Sequence, residues 1–168
     1  MSIADLLLPE LDQEFAVTRR VIERIPDDNP DWKPHPKSFS VAHLTQLVAR
    51  MPGWVPMMLD RTELDIAPKD GPTIAGYSNE KTPTLLAEFD RNAAAARAAI
   101  ARAGDADFEV PWTLLKGGEK VTTGPRFQML RYMVLNHIVH HRAQLSVYLR
   151  LLDVPVPQMY GPTADERS

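Results

Sequence analysis

The chain has no cysteine among its 168 residues, so it can form no disulfide, no thiolate metal site and no cysteine nucleophile. Any metal must then be held by histidine, carboxylate or water, and five histidines are available. Long apolar runs are missing too. Each hydrophobic stretch is broken by charges at helical spacing, well short of the ~20 apolar residues that span a bilayer. The N-terminus carries Asp5 and Glu10 and no basic region ahead of an apolar run, which predicts no signal peptide and a cytoplasmic location. Nor is there an excess of positive charge. With a net charge of -3 and a pI near 5.9, the chain offers no clustered basic face for nucleic acid. What it does have, 44% hydrophobic and 24% charged residues, suits one compact domain over residues 1–168.

Hydrophobic spacing predicts four long helices. Leu7, Leu11, Phe15, Thr18, Val21, Ile22 and Ile25 make one stripe at helical period, with Glu, Arg and Asp on the other side. The segment from Pro26 to Ser38, rich in proline, carries the chain across to a second helix capped by Ser38 or Ser40. That helix turns Val41, Leu44, Leu47, Val48, Met51, Trp54, Val55, Met58 and Leu59 inward, with Pro52 and Pro56 expected to kink or interrupt it. Asp65 to Lys81 reads as a surface loop. A third helix starts at Thr82-Pro83, has Leu85, Leu86, Phe89, Ala93, Ala96 and Ile100 along its body to Ala103, and is stopped by Gly104. Two short strands flank Lys116-Gly117-Gly118, where paired glycines permit the positive φ of a tight hairpin turn. A fourth helix runs from after Gly124-Pro125 to about Leu152, and the turn-rich tail beyond Pro157 either packs on the helices or frays. The expected fold is therefore all-α: a four-helix bundle with a possible short hairpin between helices 3 and 4. Periodicity alone leaves the helix order open.

The chemistry concentrates at Asn136, His137, Ile138, Val139, His140, His141 and Arg142. Leu130, Val134, His137, His141, Leu145, Tyr148 and Leu152 recur at the steps of one helix face, so two imidazoles stand where a core wants leucines. Histidines at i and i+4 project side by side and can reach one ion. His140 makes an i, i+3 pair with His137 that spacing does not exclude; on the preferred His137–His141 assignment it points obliquely, either supporting a ligand histidine from behind or standing at the entrance. His43 lies near the start of helix 2. Alone it reads as an ordinary half-buried histidine, but if helix 2 faces helix 4 it supplies a third nitrogen, leaving open positions on a divalent ion. Gln144 and Tyr148 lie one turn further on, placed to position a ligand or orient an imidazole, though Tyr148 reads more simply as core. His35, between two prolines, reads as an exposed loop residue. Position 138 is Ile, so the carboxylate of a His-Glu-x-x-His protease is lacking. The Lys and Arg residues, spread among acids, read as a solvated surface.

The run from His137 through Arg150, with the following Val154-Pro155-Val156-Pro157 and Tyr160-Gly161-Pro162-Thr163-Ala164-Asp165-Glu166, resembles the DinB-like family of metal-binding helical proteins. Trp32 through Ser38 and Ser40-Val41-Ala42-His43-Leu44 also resemble that family's linker and second helix. The resemblance implies a four-helix bundle in up-down-down-up order, a homodimer, and a divalent metal ion held by His43, His137 and His141. The family's name comes from DNA-damage-inducible expression and implies no contact with DNA. Its members include transferases that use low-molecular-weight thiols and metal-dependent hydrolases or isomerases.

Two functions follow as expectations. One is a metal-dependent enzyme acting on a small substrate, most plausibly a thiol transferase with zinc, nickel or iron and an external thiol as co-substrate. The other is a non-enzymatic stress-response or binding protein, a homodimer in which the metal joins helices 2 and 4. Neither assigns a catalytic side chain, and neither involves a membrane.

Overall fold

The computed structural model describes residues 1–71 and 76–167. Helix α1 (Ile3–Glu23) begins with a reciprocal cap: Ser2 Oγ accepts from the Asp5 amide, and the Asp5 carboxylate accepts from the Ser2 amide. The seven residues of its predicted stripe are all buried. Helix α4 (Thr82–Arg102) packs along α1, with Phe15 and Phe89 meeting edge to face at 5.7 Å. Arg97 pairs with Asp12 and Arg19 with Asp90. Partner numbers fall on one helix as they rise on the other, so the two run antiparallel.

The proline-bearing second helix is broken into α2 (Val41–Arg50), a single 3₁₀ turn (Met51–Gly53) and α3 (Trp54–Asp60). Pro52 has no amide proton to give the preceding turn. Asn92 of α4 donates instead to the carbonyl of Ala49, 3.0 Å away. Its side-chain oxygen comes within 3.2 Å of where a Cβ on Gly53 would stand, so the break relies on glycine for this close approach. After a short α5 (Asp105–Glu109) come β2 (Pro111–Lys116) and β3 (Glu119–Pro125), then α6 (Arg126–Leu130), one wide π turn (Arg131–Leu135) and α7 (Asn136–Leu151).

An all-α four-helix bundle is not what the chain forms. Strand β1 (Glu63–Asp65) pairs in parallel with β2, and β2 pairs antiparallel with β3, giving a three-stranded mixed sheet beside the helices. The expected surface loop beginning at Asp65 thus starts with an edge strand; its part at residues 72–75 lies outside the described residues. Three residues are too few for a strand period to be read, and their partner lies some fifty positions on. Asp65 holds them there. Its carboxylate accepts the amides of Ala67, Gly117 and Gly118, and both glycines take positive φ, +62° and +83°. These amides hold the Asp65 carboxyl below the usual carboxylate range.

The orientation of α7 is fixed by a charge pair that the sequence reading missed. Arg142 is 1% exposed and Glu14 8% exposed, and their charged atoms lie 2.7 Å apart. Arg142 Nη1 also donates to the carbonyl of Glu14 and to Thr18 Oγ1, while Nη2 donates to the Tyr160 hydroxyl. Tyr160 in turn donates to the Glu14 carboxylate at 2.8–2.9 Å. The tail is therefore packed rather than frayed. Glu166 meets Arg24, and Asp165 meets Arg150 and the Val156 amide.

Removing one charge from a buried pair leaves the other uncompensated. Glu14→Gln should cost about 3–5 kcal/mol of unfolding free energy, and Tyr160→Phe only about 1 kcal/mol, one hydrogen bond's worth. Urea denaturation of the two variants measures both; equal losses would show that Glu14's charge is not what holds α7 to α1.

Candidate metal centre

The imidazoles of His137 and His141 lie side by side on α7, with Nε2 to Nε2 at 2.9 Å and ring centroids 4.6 Å apart. Each ring is held from its other nitrogen. His137 Nδ1 lies 3.3 Å from the carbonyl of Met133, in the π turn, and His141 Nδ1 lies 2.8 Å from the side-chain oxygen of Gln144. The amide nitrogen of Gln144 is 3.1 Å from Nε2 of His140, which is exposed. Gln144 thus spans two histidines and fixes the orientation of the inner one.

A carbonyl oxygen only accepts, so these contacts favour the neutral tautomers with hydrogen on Nδ1 and a lone pair on Nε2. Two lone pairs facing each other at 2.9 Å repel, and a cation between them relieves that repulsion. Burial works against protonation: it pushes His137 and His141 below the ordinary imidazole range, and each is pushed further by a neighbouring histidine. Two nitrogens bound to one ion at about 2.0–2.1 Å stand roughly 3.0–3.4 Å apart. The pair meets that separation after a small side-chain rotation, so its donor chemistry fits a divalent metal.

His43, on the first turn of α2, is not joined to the pair. Its ring lies against Phe39 and Tyr77 in tilted pairs, with centroids at 4.3 and 3.6 Å, and burial pushes its pKa down as well. Phe39 stands beside both, 6.4 Å from His141. Among the described residues no group of three His, Asp or Glu side chains is arranged to hold an ion. His35 is exposed. Tyr148 is 6% exposed, lies against Trp32 and donates to the carbonyl of Phe39, so it fastens the segment before α2 to α7.

Three cavities converge on the pair. A polar one of about 280 Å³ is bounded by His141, Gln144, Tyr148, Lys37 and Ser38. A groove of about 690 Å³ runs between the hairpin and α7, past Val121, Tyr132, Asn136, His137 and His140. An apolar cavity of about 440 Å³ reaches His137 from the side of α3 and the sheet. The walls of this last cavity come from Trp112, Leu114 and Leu64. Trp112 and Leu114 share a face of β2, and Leu64 of β1 pairs with Leu114. Sequence reading found neither these walls nor Arg142. The signal for Arg142 was its place one turn after Ile138 and one turn before Leu145, both fully buried.

A helical chain carrying a histidine pair within a mixed helix-and-sheet fold is the class that these features define. Residues 1–167 match the sequence model of the DinB family. The chain belongs to the DinB family. A DinB-like protein of Bacillus cereus, 18% identical, superimposes with a TM-score of 0.64 over 89% of this chain and 92% of its own. A DinB-like protein of Bacillus subtilis, 17% identical, does so with a TM-score of 0.65 over 96% and 99%. At such identity the likeness speaks for the fold alone. No curated protein matches the chain. No helix among the described residues is long and apolar enough to cross a membrane.

The lowered imidazole pKa values have a consequence for folding without metal. Below about pH 6.5 the unfolded chain binds more protons on His43, His137 and His141 than the native one, so stability rises with pH in that window and falls on acidification. The urea midpoint of EDTA-treated protein should drop between pH 7.5 and pH 5.5, and drop less in a variant with all three histidines changed to glutamine. Identical pH dependence in both proteins would show that burial does not hold these rings neutral.

Proposed function

We propose that the protein is a metal-dependent enzyme acting on a small substrate, a low-molecular-weight-thiol transferase in preference to a hydrolase. The observation that carries this reading is the pair of Nε2 atoms on His137 and His141 facing each other at 2.9 Å, with both Nδ1 atoms already engaged. These two residues would hold the ion, and His43, one aromatic ring away across Phe39, would be the third ligand. A bound divalent ion supplies the positive charge that lowers the pKa of a thiol or water beside it. Zinc, nickel and iron all suit imidazole donors. The chain contributes the rest. Gln144 keeps His141 in the tautomer that leaves Nε2 free, and the Met133 carbonyl does the same for His137. Lys37, at the wall of the polar cavity beside His141, offers a positive charge to an acidic group on the thiol. The absence of cysteine suits such a reaction, since the reacting sulfur would come from outside.

Elemental analysis of protein prepared without a histidine tag tests this directly. About one metal per chain is expected, with at least a tenfold loss of affinity in His137→Ala and His141→Ala. His43→Ala separates two uses of the ion. If it only joins α2 to α7, as in a non-enzymatic homodimer, that variant loses the melting-temperature gain on metal addition and no turnover exists to lose. If it serves catalysis, His43→Ala also abolishes thiol consumption with an electrophile. Metal-free wild-type protein that takes up no zinc, nickel or iron would end the proposal.

A further inference from the structure

We infer that the apolar cavity ending at His137 is a binding site for a neutral, largely apolar molecule of one or two fused rings. Its volume, about 440 Å³, lies within the range of small-molecule sites, about 300–1,000 Å³. Protein interiors rarely leave such a space unfilled, because each wall loses its packing partners. Trp54, Met57, Met58, Trp112, Leu114 and Met133 form half of the boundary. Indole faces and thioethers suit a flat ring, the thioethers adapting to its outline. Among the described residues lining the cavity none is Lys, Arg, Asp or Glu. Without an ion on His137, a charged ligand would lose its hydration there without a partner.

The cavity is also placed for use. His137 lines both it and the groove along the hairpin, whereas His141 lines the polar cavity with Lys37 and Gln144. The histidine pair therefore stands between an apolar chamber and a polar one. On the reading proposed above, on which this assignment of role rests, the chamber receives the electrophile and the polar side the thiol. Binding to the chamber does not itself require the metal.

The test uses N-phenyl-1-naphthylamine, a neutral fluorophore, and its sulfonated analogue 1-anilinonaphthalene-8-sulfonate, added to the purified full-length protein. The neutral probe should bind saturably at one site per chain, and the sulfonate at least about tenfold more weakly. Filling the chamber by Met57→Trp or Leu64→Trp should weaken the neutral probe by about tenfold or more, while Val147→Trp, on the exposed face of α7, should leave its affinity unchanged. Methionine methyl spectra of ¹³C-labelled wild-type protein make the test independent of any variant's folding: signals of Met57, Met58 and Met133 should move on titration, and those of Met1 and Met159 should stay. Equal affinity for the two probes, or shifts that spare those three methionines, overturns the inference. His141→Ala, outside the chamber, should keep the probe. In the wild-type protein, probe binding without any metal uptake therefore refutes the metal reading alone, and metal uptake without probe binding refutes this one alone.

Discussion

The buried Arg142–Glu14 pair is the constraint on which the site depends. Successive residues of an α-helix are rotated by about 100°, so pinning Arg142 against α1 fixes where its neighbour His141 points. With Arg142 facing Glu14 and Thr18, His137 and His141 are turned towards Trp54 and Phe39, the residues bracketing the broken second helix. A leucine at 142 would have filled the same space with less desolvation. It would not have specified a rotation, because apolar contacts are non-directional. Tyr160 completes the arrangement from outside: its ring lies over the guanidinium at 5.1 Å while its hydroxyl joins both charges. The tail thereby covers a pair that water would otherwise weaken.

The sheet matters for the same site from the opposite side. Inserting β1 and β2 holds Trp112, Leu114 and Leu64 at a distance and leaves a chamber behind the imidazole. The inserted strands are short and need anchoring. Asp65 supplies it by accepting three amides, two of them from the hairpin turn that only glycines form without strain.

Much of this was legible in the sequence, and the parts that were not share a cause. The stripe of α1, the break at Pro52, the hairpin at Gly117-Gly118 and the adjacency of His137 and His141 all follow from local spacing. The third strand does not, because a parallel pairing across fifty residues leaves no periodic trace. Arg142 and Glu14 were read as solvated for a related reason: a charge looks exposed until its partner, 128 positions away, is known to meet it. The all-α expectation failed on a three-residue strand whose stability is almost wholly non-local. The position of His43 was equally beyond spacing, since its aromatic partner Tyr77 lies in a segment without helical or strand period.

The geometry at His43 also bears on how such a site stays selective. An imidazole lying against two aromatic rings keeps its packing energy while it is withdrawn from the pair, and engaging an ion means giving up at least one of those contacts. An aromatic contact is worth about 0.5–1.5 kcal/mol, small beside the binding energy that a third nitrogen adds at a zinc-like ion. Tyr77 lies against His43 and also lines the apolar chamber, so the contact that holds His43 away from the pair is at the same time part of the chamber wall.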